Sequence, residues 1–259
     1  MRVGLAGYGF IGSNLAERIE ATDDLELAFV YNRDPTRLAD VSSSLIANDL
    51  GDIEQFNCDI VIEAAHPDIT RDHGAQILAI ADYLPLSVTA LADADLYGSL
   101  QSTAIKSGHR LLIPHGALVG LDSLFEWRQN WSDVTVTFRK HPDNIDFSES
   151  EFDPAGIAGE TTLYDGPARG IARLYPRNVN TIITCALATV GPDRLRAILI
   201  TDPALEKAVA EVEAHGKDGS YLRTIREQPV VGVSGTEMFE SLCRSLAHAS
   251  NRYEAIDFL

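Results

Sequence analysis

The chain has 259 residues, 45% hydrophobic and 23% charged, with 19 Gly and 11 Pro, which fits a globular protein of one large domain or two smaller ones. A formal net charge of −17 argues against nucleic acid and anionic membranes as partners, since both demand clustered Lys or Arg, and no apolar run approaches the roughly 18 residues that cross a bilayer. Cys58, Cys185 and Cys243 are widely separated and form no CxxC pair, so reduced thiols are expected rather than a disulfide framework or a metal site.

In chain order, apolar runs at 2–6, 26–31, 59–63, 84–89 and 110–114 read as strands. Helical patterns lie between them at 11–21, 35–45, 69–82 and 94–107. Such alternation predicts repeated βαβ units on a parallel sheet, an α/β architecture of the Rossmann type. The opening MRVGLAGYGFIG reads as strand and turn rather than a secretion signal, because it is glycine-rich and lacks a small-residue cleavage site; a cytoplasmic location is expected. The rhythm changes after Leu121. SDVTVTFR, 132–139, alternates as a half-buried strand should, stretches 195–201 and 207–213 look similar, and 220–226 adds another. Helices are predicted at 167–174 and 180–190. This second part reads as an α+β substrate domain with an antiparallel sheet. Met238, Phe239, Leu242 and Leu246 then mark a helix at 235–249 that returns to the first domain.

Gly7, Gly9 and Gly12 form a G-x-G-x-x-G pattern that follows the first strand and opens the first helix. In that context Gly7 permits the tight turn, Gly9 the close approach of a pyrophosphate, and Gly12 tight helix–strand packing, with Phe10 and Ile11 in the same loop. Amides at the helix start then face the phosphates of a dinucleotide. The second strand ends in FVYNRDP. Asn32 cannot repel a 2′-phosphate and Arg33 can pair with it, which favours NADP, with NAD still open. Asp34 is equally readable as a helix cap. The third strand ends in EAAHPD, making Ala64, Ala65 and His66 candidate cofactor contacts, with a plain loop role for His66 as the alternative. His115, in LLIPHGALVGLD after the fifth strand, points at the same crevice outside the strand ends.

These residues resemble the L-aspartate dehydrogenase family along nearly the whole chain, through GYGFIG, IPHGALVGLD, DGPARGIARLYPRNVN and LITDPA. The resemblance implies a Rossmann domain plus an α/β substrate domain, a homo-oligomer (dimer or tetramer), and hydride transfer between a nicotinamide cofactor and a small amino or imino acid. Domains of 1–119, joined by 235–259, and 120–234 follow from this reading. The chain departs from the family pattern where the substrate is expected. Ala208 and Ala210 stand in place of the family's Asn and catalytic-looking His. His215 lies five residues further on, an odd shift that reverses its face on a strand. The Asn-Pro-Lys-Thr-Ser signature is missing, with only Ser234 and Thr236 nearby. His115 replaces a serine, Val119 a glycine, and Lys140-His141-Pro142 stands for Lys-Pro-Pro.

His115 therefore becomes the candidate proton-transfer group, since an unperturbed imidazole near pKa about 6.5 suits the task. Lys140, His141 and His215 are alternatives, and a loop residue whose ring bonds a backbone carbonyl is the plain reading of His115. Gly116, Ala117, Lys140, Asn178 and Asn180, with Arg177, are candidate substrate contacts or supports of the loop that makes them. The leading expectation is an NAD(P)-dependent oxidoreductase with altered substrate or mechanism. Genuine L-aspartate dehydrogenase activity and a silent dinucleotide-binding sensor or scaffold remain as alternatives.

Overall fold

The first apolar run forms β1, Arg2–Ala6, buried at four of its five positions, as a strand covered on both faces should be. This computed structural model describes residues 1–231, 234–235 and 238–250, so Thr236 and the last nine residues lie outside the description. The chain divides into two units, Met1–Pro114 with the stretch from Cys243, and His115–Leu242.

In the first unit, α1, Phe10–Glu20, buries Gly12, Leu15, Ala16 and Ile19 at helical spacing. It is followed by β2, Glu26–Tyr31; β3, Ile60–Glu63; α2, Pro67–Ile80; β4, Asp82–Pro85; and α3, Ala94–Ser107. Asp93 caps α3 by accepting from the amides of Asp95 and Leu96, and Gly108, at φ 77°, ends it. The strands lie in the order β2-β1-β3-β4, all parallel. The α/β Rossmann-type sheet expected from the alternation is therefore present.

Three expectations for this unit need correction. Residues 35–45 are two 3-10 turns, Pro35–Leu38 and Ser43–Leu45, rather than one helix. Ser42, Ser43 and Ser44 favour local side-chain bonding over helix, and Ser42 Oγ lies 3.0 Å from Ser44 Oγ. The fourth strand begins at Asp82 and stops at Pro85 instead of reaching residue 89. Ser87 turns toward the Glu63 carboxyl, and Val88–Ala92 is a 3-10 turn. The fifth strand at 110–114 is a single parallel bridge, Leu111 to Tyr83, because β4 ends at once in a proline that cannot donate to the ladder.

The second unit opens with α4, Leu121–Glu126, and β5, Trp131–Lys140. There follow β6, Thr161–Pro167; α5, Ala168–Leu174; α6, Asn180–Ala188; β7, Arg196–Thr201; β8, Ala208–Gly216; and β9, Tyr221–Gln228. Short strands β10, Val230–Val231, and β11, Ser234–Gly235, pair with each other, and α7, Met238–Ala249, closes the described chain. The large sheet runs β6-β7-β5-β8-β9. It is mixed, not antiparallel as expected, because β7 inserts between β6 and β5, antiparallel to the first and parallel to the second. β6 carries no clear apolar alternation in TTLYDGP and was invisible to periodicity. Val134, Val136 and Phe138 of β5 and Val212 and Ala214 of β8 are buried, whereas Asp133 and His215 are exposed. The two faces of this sheet thus differ sharply.

Candidate functional site

The glycine loop of the first unit is built for a close approach. Gly7 has φ 123°, and a Cβ there would lie 2.6 Å from the Ala64 carbonyl oxygen. A Cβ on Gly12 would lie 2.0 Å from the Gly7 carbonyl oxygen, so this glycine is required by packing alone. Gly9 is different: nothing lies within 4 Å of the Cβ it lacks. That open cradle sits at the start of α1, where no side chain caps the helix and no acidic residue occupies the first turn. First-turn amides without a side-chain cap and the positive end of the helix dipole there fit a pyrophosphate.

Asn32 fastens this loop to β2. Its Oδ1 accepts from the Tyr8 amide at 3.1 Å and its Nδ2 donates to the Asp34 carbonyl at 2.8 Å. Arg33 is exposed, as are Phe10, at 76%, and Asp34, whose carboxylate caps the following turn through Thr36. After β2 the Asn32 amide is thus engaged within the loop, and the Arg33 guanidinium stands exposed next to it.

At the end of β3 a carboxyl is fully buried. Glu63 Oε1 accepts from the Ala65 amide at 2.7 Å and from Ser87 Oγ at 2.9 Å, and Oε2 accepts from the Ser87 amide at 2.9 Å. Burial pushes this carboxyl up to about 7, against the pull of these donors and of the His66 amide. Its effect is to fix the Ala64–Ala65–His66 turn. The His66 ring caps α2 instead of standing free in the loop: Nδ1 accepts from the Asp68 amide at 3.3 Å.

In the second unit a pocket collects Gly116, Ala117, Lys140, Arg177, Asn178 and Asn180, the six candidate substrate contacts or supports. Its floor is one face of the sheet. Phe138, Ala210 and Arg226 lie in one cross-strand row, and Ala208 and Gln228 in the next, with Lys140 beside them. Ala208 and Ala210 thus line the pocket as flat, apolar floor. Its rim is the 116–119 loop, where Gly116 and Ala117 both take left-handed backbone, at φ 65° and 55°. For Ala117 that conformation costs about 1–2 kcal/mol, and surrounding bonds hold it. Its carbonyl accepts from Arg226 Nη1 at 2.5 Å and its amide donates to Ser241 Oγ at 2.9 Å. Thr181 Oγ1 donates to the Gly116 carbonyl at 3.1 Å.

Lys140 is the buried cation of this pocket, only 7% exposed. Nζ lies 3.5 Å from the Asn178 carbonyl and 5.6 Å from the centre of the Phe138 ring. Desolvation lowers its pKa to about 8. Asn178 orders the neighbouring loop, accepting from the Asp146 amide at 2.9 Å and donating to the Asn144 carbonyl at 3.0 Å. Arg177 pairs with Asp146 at 2.8 Å. Asn180 opens α6, whose N-terminus has no side-chain cap and no acidic first-turn residue.

His115 is not among the described residues lining this pocket. Its side chain is 39% exposed, with Nε2 3.8 Å from Asp122 Oδ1. His141 Nδ1 caps a turn by accepting from the Asp143 amide, and His215 packs on Tyr221 on the exposed sheet face. Phe138, Thr181, Arg226, Gln228 and Met238 also line the pocket and carried no motif. Arg226 and Gln228 could have been found only from the β8–β9 register, which no short pattern fixes. Among the described residues no helix is long and apolar enough to span a membrane, and no His, Cys, Asp and Glu cluster is placed to hold a metal.

Two family models match the chain. Residues 7–114 match the homoserine dehydrogenase NAD-binding domain, and residues 126–238 match the aspartate dehydrogenase C-terminal domain. An aspartate dehydrogenase domain-containing protein of Xenopus tropicalis is 34% identical, covering 95% of this chain and 93% of its own. An L-aspartate dehydrogenase of Ruegeria pomeroyi is 32% identical, over 90% and 86%. The crystal structure of aspartate dehydrogenase from Thermotoga maritima superposes with a TM-score of 0.76 at 23% identity, covering 100% of this chain and 99% of that one, a likeness of fold. The chain belongs to the aspartate dehydrogenase family and is an NAD(P)-binding oxidoreductase.

Proposed function

We propose that the protein is a dehydrogenase of a small amino or imino acid, using NADP in preference to NAD, with Lys140 as its proton-transfer and carboxylate-binding group. One observation carries this reading: Lys140 is a buried, pKa-lowered amine on a pocket floor whose neighbours Ala208 and Ala210 hold no proton. A lysine whose pKa is lowered to about 8 is neutral in part near physiological pH, and in that form it takes a proton from the substrate nitrogen. Arg226, which braces the rim, and the uncapped start of α6 add positive potential for an acid.

The dinucleotide is held by the Gly9 cradle and the α1 amides, and Arg33 supplies the charge for a 2′-phosphate. The nicotinamide, when bound, accepts or supplies the hydride. The chain's own residues orient the acid, order the rim through Thr181 and Asn178, and move the proton at Lys140 Nζ. L-Aspartate is the first substrate to test, since relatives named L-aspartate dehydrogenase match most of the chain.

Steady-state rates with L-aspartate and NADP⁺, and in reverse with oxaloacetate, ammonia and NADPH, test the reading in Lys140→Met and His115→Ala. Lys140→Met should lose about 10²–10⁴ in kcat, the span of a general acid–base group, and His115→Ala less than about tenfold. The opposite order would return the proton-transfer role to His115.

A further inference from the structure

Gln228, on β9, is among the residues that line the pocket. Gln228 Oε1 is buried from solvent and has no hydrogen-bond partner among the described residues. A buried carbonyl left unpaired is costly, and a ligand donor arriving beside it recovers that cost.

Several other oxygens at the pocket already accept a bond. Asn178 Oδ1 accepts from the Asp146 amide, and the Ala117 carbonyl accepts from Arg226. The Gly116 and Val119 carbonyls accept from the hydroxyls of Thr181 and Thr224. No Asp or Glu is among the described residues lining the pocket. An acid's carboxylates thus meet cations and helix amides, whereas an amine or imine N–H meets in Gln228 Oε1 a buried acceptor with no bond of its own among the described residues. Gln228 pairs with Ala208 in the strand register, on the side of the floor where Lys140 stands.

We propose that Gln228 is a specificity-determining residue whose Oε1 accepts the hydrogen bond of the substrate's reacting nitrogen, selecting amino and imino acids over acids that lack the nitrogen. The assignment rests on reading the pocket as an acid site and deepens it.

L-Aspartate and succinate differ by the amine alone and serve as probes. Their binding is measured by calorimetry on the full chain saturated with NADPH, with which L-aspartate forms no product. Wild type should bind L-aspartate about 10- to 100-fold more tightly than succinate, the worth of one hydrogen bond to a buried acceptor. Gln228→Met keeps the length of the side chain and removes the acceptor. It should bind the two compounds alike, with succinate affinity unchanged. Gln228→Glu keeps an acceptor and should restore the preference, which guards against a mere packing defect.

A wild-type protein without the preference, or a Gln228→Met variant that retains it, overturns the assignment while leaving the acid site intact. If wild type binds neither probe, the reading of the pocket as an acid site fails and the Gln228 assignment falls with it.

Discussion

Replacing Lys140 by Met should strengthen the fold while abolishing the chemistry. The lysine is 7% exposed, and burial lowers its pKa from 10.5 to about 8. At roughly 1.4 kcal/mol per unit, that shift means the protonated amine costs the folded state about 3 kcal/mol. The sign follows from proton binding. Between pH 8 and 10.5 the unfolded chain holds the proton and the folded one does not, so stability rises with pH across that window. Below pH 8 both states are protonated and the full cost remains. Methionine matches the length of the lysine stem without the charge. Denaturant unfolding of wild type and Lys140→Met at pH 7 and pH 10 should therefore show the variant more stable at pH 7, by up to about 3 kcal/mol, with the gap narrowing at pH 10. A variant less stable than wild type at pH 7, by an amount independent of pH, would refute the reasoning. It would mean that Lys140 stabilises the fold through its partners and that its charge is not held against a desolvation cost.

Two glycines separate packing from ligand binding. Gly12→Ala meets the Gly7 carbonyl and should cost at least about 3 kcal/mol of stability, read from the melting temperature. Gly9→Ala meets no protein atom and should leave the melting temperature unchanged while weakening dinucleotide binding at least about tenfold, measured by fluorescence titration of the reduced cofactor. Arg33→Ala should weaken NADP⁺ binding about tenfold and leave NAD⁺ within about twofold, the worth of one exposed charge-assisted contact. For Glu63, raised from 4.5 to about 7, the folded state holds the proton more tightly. Its contribution to stability is full below pH 4.5 and fades as pH rises through about 7, so wild type should lose stability from pH 5 to 7.5 and Glu63→Gln should flatten that slope in denaturant midpoints.

Periodicity and punctuation located what is local. The run of β1, the helix opened after the glycine loop and the helix from Ala94 follow from apolar spacing and glycines, signals that act within a few residues. Failures came where distant partners decide. β4 ends early because Ser87 reaches back to Glu63, twenty-four residues upstream. β6 is recognisable only through its pairing with β7. In the candidate site, Gly116, Ala117, Lys140, Asn178 and Asn180 were legible from motifs, and the pocket gathers them. Gln228 and Arg226 were not, because their meaning lies in facing Ala208 and Ala210 across the β8–β9 ladder. The sequence alone also could not show that the Lys140 stem ends in a buried position, whereas His115 stays 39% exposed.

The most direct test of the central claim follows the hydride itself. L-Aspartate carrying deuterium at Cα is incubated with the protein and NADP⁺, and the nucleotide is analysed by mass spectrometry. Wild type should form reduced nicotinamide carrying the deuterium, and Lys140→Met should form nearly none. Reduced nucleotide without the label, or labelled product formed equally well by Lys140→Met, would contradict it.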